Sequence, residues 1–126
     1  MGHKLAIVGA TGNVGRELLA TLAESEIIEC DAVYALASRK SVNREVSFGE
    51  NETLKVLSAE DFDWSRVDIV LASAGSDVSK NILPKAAAAG AVVIDNGSYW
   101  RMDADVPLVV PEVNPEALKD FKKKNI

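Results

Sequence analysis

The sequence predicts an α/β fold, a Rossmann-like doubly wound, mostly parallel sheet with helices on both faces. Three observations carry this expectation. Short unbroken apolar runs end at glycine or small-residue turns, as strands buried on both faces do. Apolar residues at helical spacing follow two of those turns directly. Strand and helix then alternate along the chain, an order that closes into βαβ units with right-handed crossovers.

Leu5-Ala6-Ile7-Val8 is the first such run, and it stops at Gly9. Val14, Leu18, Leu19 and Leu22 then paint one face of a helix over 13–24. A second strand is read over 32–37, running straight into the polar cluster Ser38-Arg39-Lys40-Ser41. Residues 47–49 and 54–57 read as short peripheral strands about a turn at Glu50-Asn51. The run 68–72 is another buried strand, followed by the small-residue turn Ser73-Ala74-Gly75-Ser76. Val78, Ile82, Leu83 and Ala86 supply the apolar face of the next helix, with Pro84 as a bend and Gly90 as its stop. A strand over 91–95, an irregular stretch over 96–106, a short strand over 108–110 and a helix over 115–123 complete the reading. Asn125-Ile126 reads as the start of a further strand, so 1–126 is expected to be the amino-terminal domain of a longer protein.

With 126 residues and 48% hydrophobic content the chain has material for one domain with a real core. A net charge of −5 argues against a general nucleic-acid surface, so any anion site must be local. Cys30 is the single cysteine, which excludes an internal disulfide and a multi-cysteine metal site. No metal is expected. The start Met1-Gly2-His3-Lys4 lacks the apolar stretch of a signal peptide, and no run approaches membrane-spanning length; no membrane partner is expected and the cytoplasm is the default location. His3, the only histidine, lies beside the chain start and is read as a solvated residue.

Gly9-Ala10-Thr11-Gly12-Asn13-Val14-Gly15 places glycines at offsets of zero, three and six between a strand and a helix. Glycine lets the backbone turn sharply and approach a pyrophosphate, while the unpaired amides and dipole of the helix start stabilise its charge. Gly15 would let the helix lie close against the strand. The bland alternative is a tight turn with no ligand. The flanking strand and helix favour dinucleotide binding instead, and the absence of Lys-Ser/Thr after the last glycine disfavours a nucleotide-hydrolysing phosphate loop.

The end of the second strand discriminates between dinucleotides. An acidic side chain there would accept from the ribose hydroxyls of NAD, whereas arginine and small hydroxyls hold the 2′-phosphate of NADP. Here Arg39 offers a planar guanidinium, Lys40 a point charge, and Ser38 and Ser41 further donors, so NADP(H) is the expected cofactor. Asp31 lies at the beginning of that strand and does not restore an NAD reading.

At these residues the chain resembles the bacterial aspartate-semialdehyde dehydrogenase family over essentially its whole length. The pieces that match are the glycine turn, Leu36-Ala37-Ser38-Arg39, Ser73-Ala74-Gly75, and above all the run from Val93-Ile94-Asp95-Asn96 through Trp100-Arg101-Met102-Asp103 to Pro111-Glu112-Val113-Asn114. The resemblance implies an oxidoreductase of amino-acid biosynthesis, on the route to lysine, methionine, threonine and isoleucine. It would convert L-aspartyl 4-phosphate, NADPH and a proton to L-aspartate 4-semialdehyde, NADP and phosphate, and act as a homodimer. In that family a cysteine thiolate attacks the acyl phosphate and a histidine serves as acid/base; both are expected beyond Ile126, so the chain alone is expected to be inactive. Cys30 is read as a small buried hydrophobe at the sheet edge opposite the cofactor. By the same resemblance Arg101 binds the substrate phosphate with Asn96 in its pocket, and Gly9, Thr11, Gly12, Asn13, Val14, Gly15, Ser73 and Gly75 line the cofactor crevice. Without it, a pairing of Arg101 with Asp103 or Asp105 is an equal reading. Tyr99 and Trp100 are taken as packing residues. Two departures stand out: Asn43 where the family commonly has glycine, an exchange asparagine's tolerance of positive φ accommodates, and Gly97 where it often has serine. The competing readings are an N-acetyl-γ-glutamyl-phosphate reductase domain and a non-catalytic NADP-sensing module.

Overall fold

The computed structural model describes residues 2–25 and 28–126; Met1, Glu26 and Ile27 lie outside the described residues. In chain order the elements are β1 (His3–Val8), α1 (Asn13–Glu24), β2 (Cys30–Ala37), β3 (Glu45–Ser47), β4 (Thr53–Ser58), β5 (Ile69–Ala72), α2 (Ser76–Asn81), α3 (Leu83–Ala88) and β6 (Val92–Asp95). Short 3-10 turns occupy Arg39–Ser41 and Trp64–Arg66, and a longer one runs over Pro115–Lys123.

The six strands form one sheet in the order β3-β4-β2-β1-β5-β6. All pairings are parallel except β3 with β4. The chain leaves β1 toward β2 and β4 on one side, then returns to build β5 and β6 on the other. The sheet therefore reverses direction at β1, and the strand ends there open a crevice.

Alternation along β1 explains why helices cover both faces. Leu5 and Ile7 join Leu19 and Leu22 of α1, while Ala6 and Val8 join Leu83, Ala86 and Ala87 of α3. Each fully buried leucine of this kind contributes about 1.5–3 kcal/mol relative to exposure. The buried face of α1 is rotated from the expected one: Gly15 joins Leu19 and Leu22 inside, whereas Val14 is 44% exposed. Gly15 is what allows this. A Cβ at Gly15 would lie 2.1 Å from the Gly9 carbonyl oxygen, so the helix rests directly on the turn's backbone.

The bend expected at Pro84 is a break. α2 ends and α3 begins at Ile82, with Pro84 in the first turn of α3, where no amide hydrogen is needed. Gly90, at φ 101°, ends α3: its amide donates to Ala87 O and the amide of Ala91 to Ala86 O, which satisfies two terminal carbonyls.

Three expectations are corrected. The first peripheral strand is Glu45–Ser47 rather than 47–49, because Gly49 at φ 78° belongs to the turn, which Phe48 N closes onto Glu52 O at 2.8 Å. Glu45 then faces Lys55 across the strands, a favourable opposite-charge pair. Residues 108–110 form no strand. The Asn114 side chain takes their backbone instead, accepting from Val110 N at 2.7 Å and donating to Leu108 O at 2.8 Å, the local competition by which asparagine diverts chain from a ladder. The expected helix over 115–123 has the right bounds but 3-10 geometry, and none of its residues is buried, so core packing does not hold it to an α repeat. Asn125 and Ile126 are not assigned to a strand, yet Asn125 O accepts from Val93 N at 2.7 Å, beside β6.

Two substitutions test this architecture by denaturant or thermal unfolding. Gly15→Ala is expected to destabilise by about 2 kcal/mol or more, because the backbone must separate to admit the methyl group. Gly12→Ala, whose Cβ would meet Gly9 O at 3.4 Å, is expected to change stability by less than about 1 kcal/mol; similar losses in both variants would contradict the close-contact argument.

Candidate functional site

The strand register brings every predicted site segment to one edge of the sheet. Val8 of β1 lies opposite Leu36 of β2 and Ala72 of β5, and Ala72 in turn lies opposite Asp95 of β6. The residues that follow these strand ends are Gly9, Ser38, Ser73 and Asn96, so four segments distant in sequence open side by side.

The glycine turn is pinned from both sides. Gly9 N and Ala10 N both donate to Leu36 O, at 2.9 and 3.1 Å, and Ser73 N donates to Val8 O at 3.0 Å. Gly9 adopts φ 87°, and a Cβ there would stand 2.2 Å from Ser73 O; only glycine combines that dihedral with that approach. Gly12 N closes the turn onto Gly9 O at 3.0 Å, and Gly12 is the N-cap of α1. No side chain caps this helix and no acidic residue occupies its first turn, so the helix start offers amides and a positive dipole end of the kind that suits an anion. Thr11, Asn13 and Val14 belong to the same turn and helix start and are not buried. On the other wall, Gly75 at φ 91° precedes α2 and Ser73 abuts Gly9. A strand-to-helix turn closed by glycines, with no side chain capping the helix that follows, is the kind of backbone that suits a pyrophosphate.

Ser38 leads into the 3-10 turn Arg39–Ser41, which projects Arg39 and Lys40 into solvent. Arg39 is not free. Its Nε and Nη2 donate to the two oxygens of Asp61 at 3.2 and 3.0 Å, and Nη1 lies 3.4 Å from Glu60 Oε2. The guanidinium holds the Asp61 carboxyl below the usual carboxylate range, and Asp61 raises Arg39 in return. Glu60 and Asp61 were not recognisable as site residues from local sequence; the available signal was an acidic pair just past a strand end. Lys40 forms no ion pair among the described residues. Asn43 takes φ 73°, so the backbone that glycine commonly provides in the family is kept.

Beyond β6, Asn96 N donates to Ala72 O at 2.8 Å and extends the sheet by one step. The preceding Asp95 accepts from Ser79 Oγ at 2.5 Å and from Gly97 N at 2.8 Å, with Ser79 almost fully buried. A Cβ at Gly97 would come 3.0 Å from that carboxylate, so the glycine admits a tighter Asp95 contact than serine would. Asn96, Gly97 and Arg101 line a groove of about 740 Å³ that Val106, Leu108 and Phe121 continue. Arg101 pairs with neither aspartate considered for it. Asp103 is held by Lys124 Nζ at 2.8 Å and accepts from Asp105 N, and among the described residues Arg101 has no ion pair. At the groove wall no described carboxylate pairs with it. Trp100 does pack, against the core on one side and edge-on to Tyr99 at 4.8 Å.

Cys30 stands at the far end of β2, opposite His3 in the β1 register and away from the crevice. It is half-buried rather than fully buried, because it begins an element at the sheet's outer end. Burial, then the Asp31 charge, pushes its thiol up, which disfavours the thiolate a nucleophile needs. Among the described residues no cluster of metal-ligating side chains occurs, and no helix is long and apolar enough to cross a membrane.

Comparison with known proteins agrees with this geometry. Residues 4–121 match the family described as semialdehyde dehydrogenase, NAD binding domain. The chain is 52% identical over 127 residues to an aspartate-semialdehyde dehydrogenase of Aquifex aeolicus, covering 100% of this chain and 37% of that protein. A second such enzyme, from Rickettsia bellii, is 47% identical over 98% of this chain and 36% of its own. The chain thus spans little more than a third of these relatives. Among solved structures, aspartate semialdehyde dehydrogenase II of Vibrio cholerae complexed with ASA superposes with a TM-score of 0.93 at 48% identity, over all of this chain and 40% of that one. The Candida albicans aspartate semialdehyde dehydrogenase with NADP gives 0.77 at 29% identity, over 94% and 36%. With the family matched from Lys4 through Phe121 and the glycine turn, crevice and strand order all in place, the chain belongs to the semialdehyde dehydrogenase NAD-binding domain family.

Proposed function

We propose that this chain is the NADP(H)-binding domain of an aspartate-semialdehyde dehydrogenase, an enzyme that reductively dephosphorylates L-aspartyl 4-phosphate to L-aspartate 4-semialdehyde. The observation that carries the reading is that the glycine turn with its uncapped α1 start follows β1, while the groove holding Arg101, which has no ion pair among the described residues, follows β6 at the same end of the sheet. The first suits a dinucleotide pyrophosphate and the second the phosphate of an acyl-phosphate substrate. The relatives that bear this enzyme's name share about half of their aligned residues with it.

In this reading Gly9, Thr11, Gly12, Asn13, Val14 and Gly15 hold the pyrophosphate through backbone amides. Ser73 and Gly75 line the opposite wall, and their short side chains leave room for the nucleotide. Ser38, Arg39, Lys40 and Ser41 receive the adenosine end, where two cations and two hydroxyls answer a 2′-phosphate better than a bare ribose hydroxyl. When bound, NADPH supplies the hydride. Arg101, with two parallel N–H donors, fixes the substrate phosphate while Asn96 adds an amide beside it. The Ser79–Asp95–Gly97 contacts hold the loop that carries Asn96.

The nucleophile and the acid/base are supplied from outside these 126 residues, since Cys30 lies at the wrong end of the sheet with a raised thiol pKa. The reading also takes the whole enzyme to be a cytoplasmic homodimer with no metal, membrane or nucleic-acid partner.

Titration of the chain with both cofactors tests the assignment. Arg39→Ala is expected to weaken NADP by about tenfold to a hundredfold, as loss of a charged hydrogen-bonding partner does, and to leave NAD nearly unchanged. Equal losses for the two would remove the 2′-phosphate role. Arg101→Ala is expected to abolish binding of inorganic phosphate while leaving NADP affinity intact; retained phosphate binding would sink the substrate-anion role. The purified 126-residue chain is expected to show no turnover with L-aspartate 4-semialdehyde, NADP and phosphate, and measurable NADPH production would contradict the placement of the nucleophile elsewhere.

A further inference from the structure

The guanidinium read as the 2′-phosphate ligand already carries two carboxylates. Asp61 occupies its Nε–Nη2 edge in a bidentate pair, and Glu60 lies 3.4 Å from Nη1. Both come from the turn after β4. Because β4 runs parallel beside β2 with Ser58 opposite Ala37, that turn opens at the same sheet edge as residues 38–41. Ala59 N fastens it to Ala37 O at 2.9 Å, so the acidic pair is held at this corner by the sheet itself.

We propose that Glu60 and Asp61 are specificity-determining residues, a carboxylate pair that opposes the 2′-phosphate and sets how strongly the site prefers NADP(H) to NAD(H). The proposal rests on the cofactor reading above and adds to it the groups that act against the phosphate.

A phosphate arriving at Arg39 finds the Nε–Nη2 edge taken and meets the Glu60 carboxylate beside Nη1, on the side where a two-point contact is still open. Displacement itself is easy, because exposed ion pairs contribute little; the side chains of Arg39 and Asp61 are 64% and 61% exposed. Like-charge repulsion persists after displacement. The 2′-phosphate carries between one and two negative charges, comparable to a phosphorylated side chain, and both carboxylates stay tethered within reach of it. The free 2′-hydroxyl of NAD is neutral and does not meet that repulsion. The corner therefore balances two cations, Arg39 and Lys40, against two anions, and the repulsion falls on the phosphorylated cofactor. Its exposure also makes the effect sensitive to salt.

The test is titration of the chain with NADP and NAD at low and at high ionic strength, alongside Glu60→Gln, Asp61→Asn and the double variant. Melting curves check that each variant is folded. The double variant is expected to bind NADP about 5- to 30-fold more tightly at low salt, with NAD affinity within about twofold and the gain shrinking at high salt. An unchanged NADP-to-NAD ratio would overturn the proposal. So would a selective loss of NADP affinity in Asp61→Asn, which would make that carboxylate a support for Arg39. Should the unmodified chain show no preference for NADP, or Arg39→Ala weaken both cofactors equally, the cofactor reading fails and this proposal with it. A preserved wild-type preference with an insensitive double variant removes the carboxylate pair alone.

Discussion

The contact between Gly15 and the Gly9 carbonyl underlies the rest of the molecule. With no side chain between them, α1 lies on the backbone of the turn that leads into it. This proximity seats Leu19 and Leu22 against Leu5 and Ile7 and fixes the helix start at the sheet's reversal point. The same requirement for absent atoms recurs at Gly9, whose Cα sits against Ser73 O. The glycines that allow close packing also leave the start of α1 without a side-chain cap.

The sheet edge around this contact is organised by charge. Arg39 is balanced by Glu60 and Asp61, whereas Arg101 faces its groove without a carboxylate partner among the described residues. The difference has a structural origin. Asp103, the obvious partner for Arg101, is drawn away by Lys124 from the far end of the chain, and Asp95 is engaged with Ser79 and Gly97. One arginine is therefore tempered by two carboxylates, and the other has no such partner among the described residues.

The segment beyond β6 behaves differently from the sheet. Residues 108–110 and 115–123 carry apolar side chains at plausible strand and helix spacing, yet Leu108, Val110, Val113 and Leu118 are exposed. Local bonds from Asn114 and a 3-10 geometry without buried residues take the place of the expected strand and α-helix. Apolar pattern selects regular structure through burial, and here burial is slight.

The sequence alone determined the elements whose signal is local: the apolar runs of β1, β2, β5 and β6, the glycine turn, the extent of α1 and a disturbance of the next helix at Pro84, read as a bend and found as a break. Each follows from a preference of the residues themselves for a period, a dihedral or a missing hydrogen-bond donor. Tertiary structure decided what depends on register between distant strands. It placed Glu60 and Asp61 on Arg39, 21 and 22 residues away, turned Val14 outward, and gave Asp103 to Lys124 rather than Arg101. No local preference encodes such pairings, because they exist only once parallel strands have brought their carboxyl-terminal ends to a common edge.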